Sequence, residues 1–229
     1  MKLLLLSNST NPGQPYLEWP MGYIDRFLGE VRSVLFIPYA AVNFSYDDYE
    51  RKVADAMSAA GITVRSIHHE ASPKDAIASA RAIIVGGGNT FHLLKTLQEL
   101  DLIDPIRTKV QLGTPYIGWS AGSNLACPTI RTTNDMPVVE PQNFDALNLI
   151  SFQINPHFTE RTIAGHGGES RLQRLLEYSA VNEYPVVCLP ENCGIRMDES
   201  GMRLLSAEPV KMIRKGGEIT TLHHGMITI

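Results

Sequence analysis

The chain has 229 residues, of which 44% are hydrophobic and 19% are charged. This composition excludes a disordered chain and predicts one globular domain over residues 1–229 with a large buried core. The formal net charge of −4 gives no electrostatic reason to expect a nucleic acid or an anionic membrane as partner, so the expected ligand is a small molecule.

The first apolar run, Leu3–Leu6, has the length of one buried strand and is far shorter than the roughly 20 residues that cross a bilayer. A polar segment follows it, so we predict neither a membrane span nor a signal peptide and expect a cytoplasmic protein. The odd number of cysteines matches neither a disulfide framework nor a zinc spacing. We expect all of them to be reduced and buried, namely Cys127, Cys188 and Cys193.

Apolar runs of strand length alternate along the chain with segments of helical period. The predicted strands are Lys2–Ser7, Ser33–Ile37, Thr63–Ile67, Ala82–Val85, Pro115–Trp119, Phe152–Asn155 and Val186–Leu189. The predicted helices between them are Tyr46–Ala60, a helix that opens at Ser72-Pro73, Asn89–Leu100 and Glu169–Ala180. Most of the strands are continuously apolar, which is typical of parallel strands that helices cover on both faces.

This alternation predicts an α/β fold with a single doubly wound, mostly parallel sheet and helices on both faces. After Gly201 the pattern changes to short strands with turn signals at Lys215–Glu218 and His224-Gly225, which predicts an antiparallel C-terminal edge. Ligands of doubly wound sheets bind beyond the carboxyl ends of the strands. Functional residues are therefore expected where strands end.

Gly118-Trp119-Ser120-Ala121-Gly122 follows a predicted strand and has the pattern of a nucleophile elbow. A serine on a sharp strand-to-helix turn needs small residues two positions away on either side. A helix that begins there also directs free amides, notably that of Ala121, at an oxyanion beside the hydroxyl. Ser120 is therefore the candidate nucleophile. The alternative is an inert serine in an ordinary glycine-flanked turn.

A second glycine-rich turn, Gly86-Gly87-Gly88-Asn89-Thr90, follows the neighbouring predicted strand. Glycine turns at helix N-termini bind anions through exposed amides, so a phosphate cradle is one interpretation. The turn lacks both nucleotide-binding fingerprints, however. We favour a second oxyanion donor, supplied by the amide of Gly88 or of Asn89.

A serine nucleophile needs a base, and His157 is the best placed of the seven histidines. It follows the predicted strand Phe152–Asn155, where Pro156 keeps the chain extended and directs the imidazole to the carboxyl edge of the sheet. A carboxylate must orient this imidazole. Asp135 gives the chain order Ser, Asp, His of many hydrolases, whereas Glu191 lies at a strand end; the sequence leaves both open, and the second carboxylate would bind the substrate amine.

Three further motifs are Arg131–Pro137, Gln153–Phe158 and Leu189-Pro190-Glu191. Together with the motifs above, these segments resemble the peptidase E family of α-aspartyl dipeptidases. The resemblance follows the same order along nearly the whole chain. The resemblance implies a serine dipeptidase that removes an N-terminal aspartate from short peptides, without metal or nucleotide cofactor. It also implies a fold similar to class I glutamine amidotransferases. By carry-over, Ser120 is the nucleophile and His157 the base. One departure is Asn192, where the family usually has glycine.

Selectivity for aspartate calls for a cationic partner of its carboxylate, and arginine is the natural choice. Arg131 and Arg171 are the candidates, and Gly165–Gly168 is a candidate flap over the pocket. The expected partners are small peptides with N-terminal aspartate, and the chain is expected to be a monomer or a homodimer.

Two alternatives remain at this point. One is a related serine hydrolase acting on β-aspartyl peptides or cyanophycin. The other is a flavodoxin-like module that binds a phosphate or a nucleotide at the glycine turn.

Overall fold

Strands and helices alternate through most of the computed structural model, which describes residues 1–162, 165 and 167–229. The strands are β1 Leu3–Leu6, β2 Ser33–Ile37, β3 Thr63–Ser66, β4 Ile83–Val85, β5 Tyr116–Trp119, β6 Gln153–Asn155, β7 Val186–Cys188, β8 Gly194–Asp198, β9 Gly201–Leu205, β10 Val210–Ile213, β11 Ile219–Leu222 and β12 Gly225–Met226. The α-helices are α1 Glu18–Leu28, α2 Tyr46–Ser58, α3 Pro73–Ser79, α4 Thr90–Glu99, α5 Ile103–Gln111, α6 Ala121–Ala126 and α7 Arg171–Val181.

The larger sheet has eight strands in the order β12-β9-β8-β1-β5-β4-β2-β3. From β1 to β3 all neighbours are parallel, whereas β8, β9 and β12 form an antiparallel edge beside β1. Alternate residues of β1 belong to two different apolar clusters, Leu3 and Leu5 on one face and Leu4 and Leu6 on the other. This sheet confirms the predicted α/β class, the mostly parallel order and the antiparallel edge.

The prediction of a single sheet is wrong, because β6 and β7 lie in a second sheet of the order β11-β10-β7-β6. The reason is the pairing of β1, which has β5 on one side and β8 on the other and so offers no free edge. The parallel pair β6–β7 instead continues into the hairpin β10–β11 through an antiparallel pairing of β7 with β10. The strand ends that precede His157 and Glu191 therefore belong to the smaller sheet.

Side-chain hydrogen bonds join the two sheets near the ends of β1 and β7. The buried hydroxyl of Ser7, directly after β1, donates to the carbonyl oxygen of Leu189, directly after β7, at 2.9 Å. The side-chain amide of Asn124 in α6 donates to the carbonyl oxygen of Ile154 in β6 at 2.7 Å. These contacts fix the strand ends of the two sheets beside one another.

Each predicted helix is present with bounds shifted by one or two residues, but the sequence analysis missed α1 and α5. Each of these two helices carries a proline, Pro20 or Pro105, as its third residue. Proline is tolerated in the first turn, where its missing N–H has no intrahelical partner. None of the helices among the described residues has the length and apolar character of a membrane span. Of the predicted flap, His166 lies outside the described residues.

Candidate active site

Ser120 lies on a sharp turn between β5 and α6, with φ 53° and ψ −112°. A positive φ is unfavourable for a residue with a side chain, so the surrounding backbone must hold this geometry in place. A Cβ atom at Gly118 would lie 2.4 Å from the carbonyl oxygen of Gly122, and one at Gly122 would lie 2.2 Å from that of Val85. The two glycines therefore permit the close approach of β4, β5 and α6 that the predicted elbow requires.

The hydroxyl of Ser120 and the imidazole of His157 are in hydrogen-bond contact. Ser120 Oγ lies 2.8 Å from His157 Nε2, and His157 Nδ1 lies 2.7 Å from Glu191 Oε1. A carboxylate only accepts hydrogen bonds, so Nδ1 donates its proton to Glu191 and Nε2 is left to accept the Ser120 proton. This is the tautomer of the neutral imidazole that a general base needs. The structure thus brings Ser120, His157 and Glu191 into one hydrogen-bonded chain.

The main chain of His157 is held on both sides. Its amide donates to Ser7 Oγ at 2.8 Å, and its carbonyl oxygen accepts a hydrogen bond from the guanidinium of Arg171. These contacts accompany a φ of 54° at His157. Partial burial lowers the pKa of Arg171, whereas the nearby charge of Glu191 raises it. Arg171 therefore holds the main chain of His157 and does not itself contact the imidazole nitrogens.

The turn after Glu191 explains the departure at Asn192. This residue has φ 63°, a left-handed conformation that glycine adopts freely and asparagine tolerates better than most residues. Its amide donates to Asn8 Oδ1 at 2.8 Å, and its side-chain oxygen accepts from Asn11 at 3.1 Å. Asparagine is thus tolerated in this conformation, and its side chain adds a contact to the loop after β1.

Asp135 does not contact His157 Nδ1, so it is not the carboxylate that orients the imidazole. Its Oδ2 accepts hydrogen bonds from the amide of Thr90 at 2.7 Å, the hydroxyl of Thr90 at 2.5 Å and the hydroxyl of Thr133 at 2.9 Å. Among the described residues, its Oδ1 accepts none. Asp135 lines the same pocket as Ser120 and His157, so its carboxylate can contact a ligand there.

The two glycine-containing turns face each other across Ser120. A Cβ atom at Gly87 would lie 3.0 Å from Ser120 Cβ. Within the described part of the chain, the amides of Gly88 and Ala121 donate no hydrogen bond, as an oxyanion site requires. The amide of Asn89 is not available, because it donates to the carbonyl oxygen of Ala40 at 2.8 Å. This finding removes Asn89 from the expected amide donors.

Asn89 instead connects α4 to the loop that carries Asp135. Its side-chain oxygen accepts from the amide of His92 at 3.0 Å and so caps α4. Its side-chain nitrogen donates to the carbonyl oxygen of Met136 at 2.8 Å. Asn89 therefore holds Asp135 beside the glycine turn.

Tyr49 of α2 holds the Gly86–Gly88 turn from the opposite side. Its hydroxyl donates to the carbonyl oxygen of Gly87 at 2.9 Å and accepts from the indole of Trp119 at 3.2 Å. Burial raises the pKa of Tyr49, so its phenol stays protonated and remains a donor. The sequence analysis did not single out Tyr49 within the predicted helix Tyr46–Ala60.

The pocket beside Ser120 has a volume of about 400 Å³, within the range of small-molecule sites. Neither Arg131 nor Arg171 lines it: Arg131 lies over the Phe144 ring, with its guanidinium carbon 4.9 Å from the ring centroid. Lys52 is the one lysine or arginine among the described lining residues. Its ammonium lies 4.3 Å from the centroid of the Tyr16 ring, a favourable cation–π distance.

The sequence analysis missed Lys52. The available signal was its spacing, because it lies three residues after Tyr49 and hence on the same side of α2.

Comparisons with known proteins agree with this architecture. The family model described as Peptidase family S51 matches residues 3–205. A peptidase E from Nostoc sp. is 48% identical over 219 residues, which cover 95% of this chain and 90% of that protein. A peptidase E from Shigella flexneri is 48% identical over 226 residues, which cover 98% of this chain and 99% of that protein.

The fold is also found among solved structures. A crystal structure of a peptidase from an acI-B1 Actinobacterium matches with a TM-score of 0.72 at 16% identity, over 97% of this chain and 94% of that one. The family match extends over most of the chain, and the identity to its curated relatives is high over nearly their full length. The chain therefore belongs to peptidase family S51 and is a serine peptidase.

Proposed function

We propose that the chain is a dipeptidase that hydrolyses the bond after an N-terminal aspartate. The observation that carries this proposal is a pocket with three matched features: the hydrogen-bonded Ser120 and His157, the free oxygen of Asp135 and the ammonium of Lys52. An N-terminal aspartate presents a scissile carbonyl, an α-ammonium and a β-carboxylate. Each feature of the pocket has the chemistry to bind one of these groups.

In the proposed reaction, His157 Nε2 takes the proton of Ser120 while the oxygen attacks the carbonyl carbon of the aspartyl residue. The amides of Gly88 and Ala121 stabilise the oxyanion. His157 then protonates the leaving amine, and an acyl-enzyme remains on Ser120. Water, deprotonated by the same imidazole, releases aspartate. Glu191 stabilises the imidazolium that forms in both steps.

The two charged groups of the pocket account for the proposed selectivity. Asp135 Oδ1 binds the substrate ammonium, which restricts cleavage to the first peptide bond. Lys52 binds the β-carboxylate, the role that the sequence analysis assigned to an arginine. A charge-assisted hydrogen bond of this kind contributes about 1.5–3 kcal/mol. That range corresponds to about 10- to 100-fold in kcat/KM.

The first experiment tests the nucleophile and the substrate together. Wild-type protein and Ser120→Ala are assayed on Asp-Leu, Asn-Leu and isoAsp-Leu, with circular dichroism as the folding control. We expect Asp-Leu to be the preferred substrate and Ser120→Ala to lose several orders of magnitude in kcat. A folded Ser120→Ala that cleaves Asp-Leu at the wild-type rate contradicts the mechanism. Preference for isoAsp-Leu contradicts the substrate and favours a β-aspartyl hydrolase.

A second experiment tests Lys52. We expect Lys52→Met to lower kcat/KM for Asp-Leu by about 10- to 100-fold and to leave that for Asn-Leu within about threefold. Lys95→Met is the matched control, because Lys95 lies outside the pocket and pairs with Glu99 on α4. Equal losses on both substrates would show that Lys52 supports the pocket without recognising the carboxylate.

A further inference from the structure

Four potential metal ligands converge outside the pocket, at the start of α2 and in the short 3₁₀ turn Ile67–His69 after β3. They are Asp47, Glu50, His68 and His69, and one ligand atom of each lies within 4.8 Å of those of the other three. Asp47 and Glu50 are three residues apart on α2, so their side chains share one side of the helix. None of the four lines the pocket of Ser120.

The separations of the donor atoms fit a tetrahedral ion. Asp47 Oδ1 lies 2.9 Å from His68 Nε2 and 3.1 Å from His69 Nε2, and Glu50 Oε2 lies 3.0 Å from His69 Nε2. Zinc bonds of about 2.0–2.1 Å in tetrahedral geometry place neighbouring ligand atoms about 3.4 Å apart. The three observed separations are all slightly shorter than this value, and all four ligand atoms lie within 4.8 Å of one another. Small movements of partly exposed side chains would therefore complete the coordination.

Ser66 orients two of the four ligands. Its amide donates to Glu50 Oε1 at 3.0 Å, which leaves Oε2 directed at His69. Its hydroxyl lies 2.6 Å from His68 Nδ1 and 3.5 Å from the carbonyl oxygen of Phe36. In the metal-free structure Nε2 donates to Asp47 Oδ1. A metal at Nε2 would favour the other tautomer, in which Nδ1 donates to the hydroxyl and the hydroxyl donates onward to Phe36. Fixing of the second imidazole nitrogen is the usual arrangement around metal-binding histidines.

The ligand set decides the class of metal. Magnesium and calcium prefer sites built from oxygen atoms, whereas two imidazole nitrogens with two carboxylates suit zinc and related transition metals. The cysteines do not compete for zinc, because Cys127, Cys188 and Cys193 are all buried.

We propose that Asp47, Glu50, His68 and His69 form a binding site for one zinc ion, which joins the start of α2 to the turn after β3. This site is separate from the proposed peptidase reaction, whose steps use no metal. Its structural consequence concerns α2, which also carries Tyr49 and Lys52 into the pocket. Bound zinc would hold the start of α2 in place from outside the pocket.

The test is titration of the chelator-treated full-length protein with zinc chloride in a calorimeter. Wild-type protein is expected to bind one zinc ion per chain. Loss of a residue that only orients a metal ligand costs about 10- to 100-fold in metal affinity. His69→Gln removes a ligand itself and is therefore expected to lose more than this. His69 is half exposed, so this variant keeps its fold, which circular dichroism verifies.

A control is needed because His157 and Glu191 form another exposed histidine–carboxylate pair. His157→Gln is expected to keep the zinc affinity of the wild type. Visible absorption of bound Co²⁺ provides a second readout and should show tetrahedral coordination in the wild type and in His157→Gln, but not in His69→Gln. Absence of zinc binding by the wild type overturns the proposal. Loss of binding in His157→Gln with retention in His69→Gln overturns it as well.

Discussion

Replacement of Glu191 by glutamine tests how much the carboxylate contributes to the proposed reaction. The variant keeps the shape of the side chain but removes the charge 2.7 Å from His157 Nδ1. At this distance, an ion pair contributes about 1.5 kcal/mol with the dielectric constant of water and about 6 kcal/mol with an effective value of 20. Glu191 is 50% exposed, so we take a value of about 3 kcal/mol. The expected loss in kcat is about 100-fold.

The matched variant is Asp135→Asn, which removes the other carboxylate of the site. We expect it to raise KM for Asp-Leu by about 10- to 100-fold with little change in kcat, because the proposed role of Asp135 is to bind the substrate ammonium and its carboxylate does not contact the imidazole. Both variants are assayed for kcat and KM on Asp-Leu after circular dichroism has verified folding. The reasoning is refuted if Asp135→Asn loses kcat while Glu191→Gln keeps it.

Three further predictions concern the structure around the site. Gly122→Ala should lose about 3 kcal/mol in free energy of unfolding by urea, because its Cβ would lie 2.2 Å from the carbonyl oxygen of Val85. Gly22→Ala, whose Cβ has only ordinary contacts in α1, should lose nothing. Asn192→Gly should keep kcat, whereas Asn192→Val should lose kcat, because a β-branched residue at φ 63° is strained. The three thiols should resist Ellman's reagent in the native protein, because burial raises the pKa of each.

Each of these predictions has a result that contradicts it. Equal unfolding free energies for Gly122→Ala and Gly22→Ala would show that the backbone at the elbow yields more easily than the contact distances indicate. Full activity of Asn192→Val would mean that the turn after Glu191 does not control the position of the carboxylate. Rapid reaction of any thiol at neutral pH would mean that the native protein opens more readily than its packing suggests.

Much of the elbow could be predicted because its cause is local. Gly118 and Gly122 lie within a few residues of Ser120, and the sequence displays their spacing directly. The strand positions could also be predicted, because a buried strand needs an uninterrupted apolar run. The division of these strands between two sheets could not, since it depends on which edges β1 leaves free.

The choice between Asp135 and Glu191 is another long-range property. Both carboxylates follow motifs that fit the role, and only packing shows that the hydroxyls of Thr90 and Thr133 bind one while His157 binds the other. The position of Arg171 could not be predicted for the same reason. Its guanidinium donates to a main-chain carbonyl oxygen 14 residues away, a contact that residue type alone does not reveal.

The hydrogen bonds of Ser7 give the two sheets a shared reference point. Ser120, the proposed nucleophile, follows a strand of the larger sheet, and His157 follows a strand of the smaller one. In the proposed reaction, turnover therefore depends on the alignment of the two sheets. A small shift of one sheet relative to the other would abolish catalysis while nearly all secondary structure remained. Heat or denaturant should then abolish catalysis before the far-ultraviolet spectrum changes. Catalytic activity is therefore a more sensitive measure of the alignment of the two sheets than secondary-structure content is.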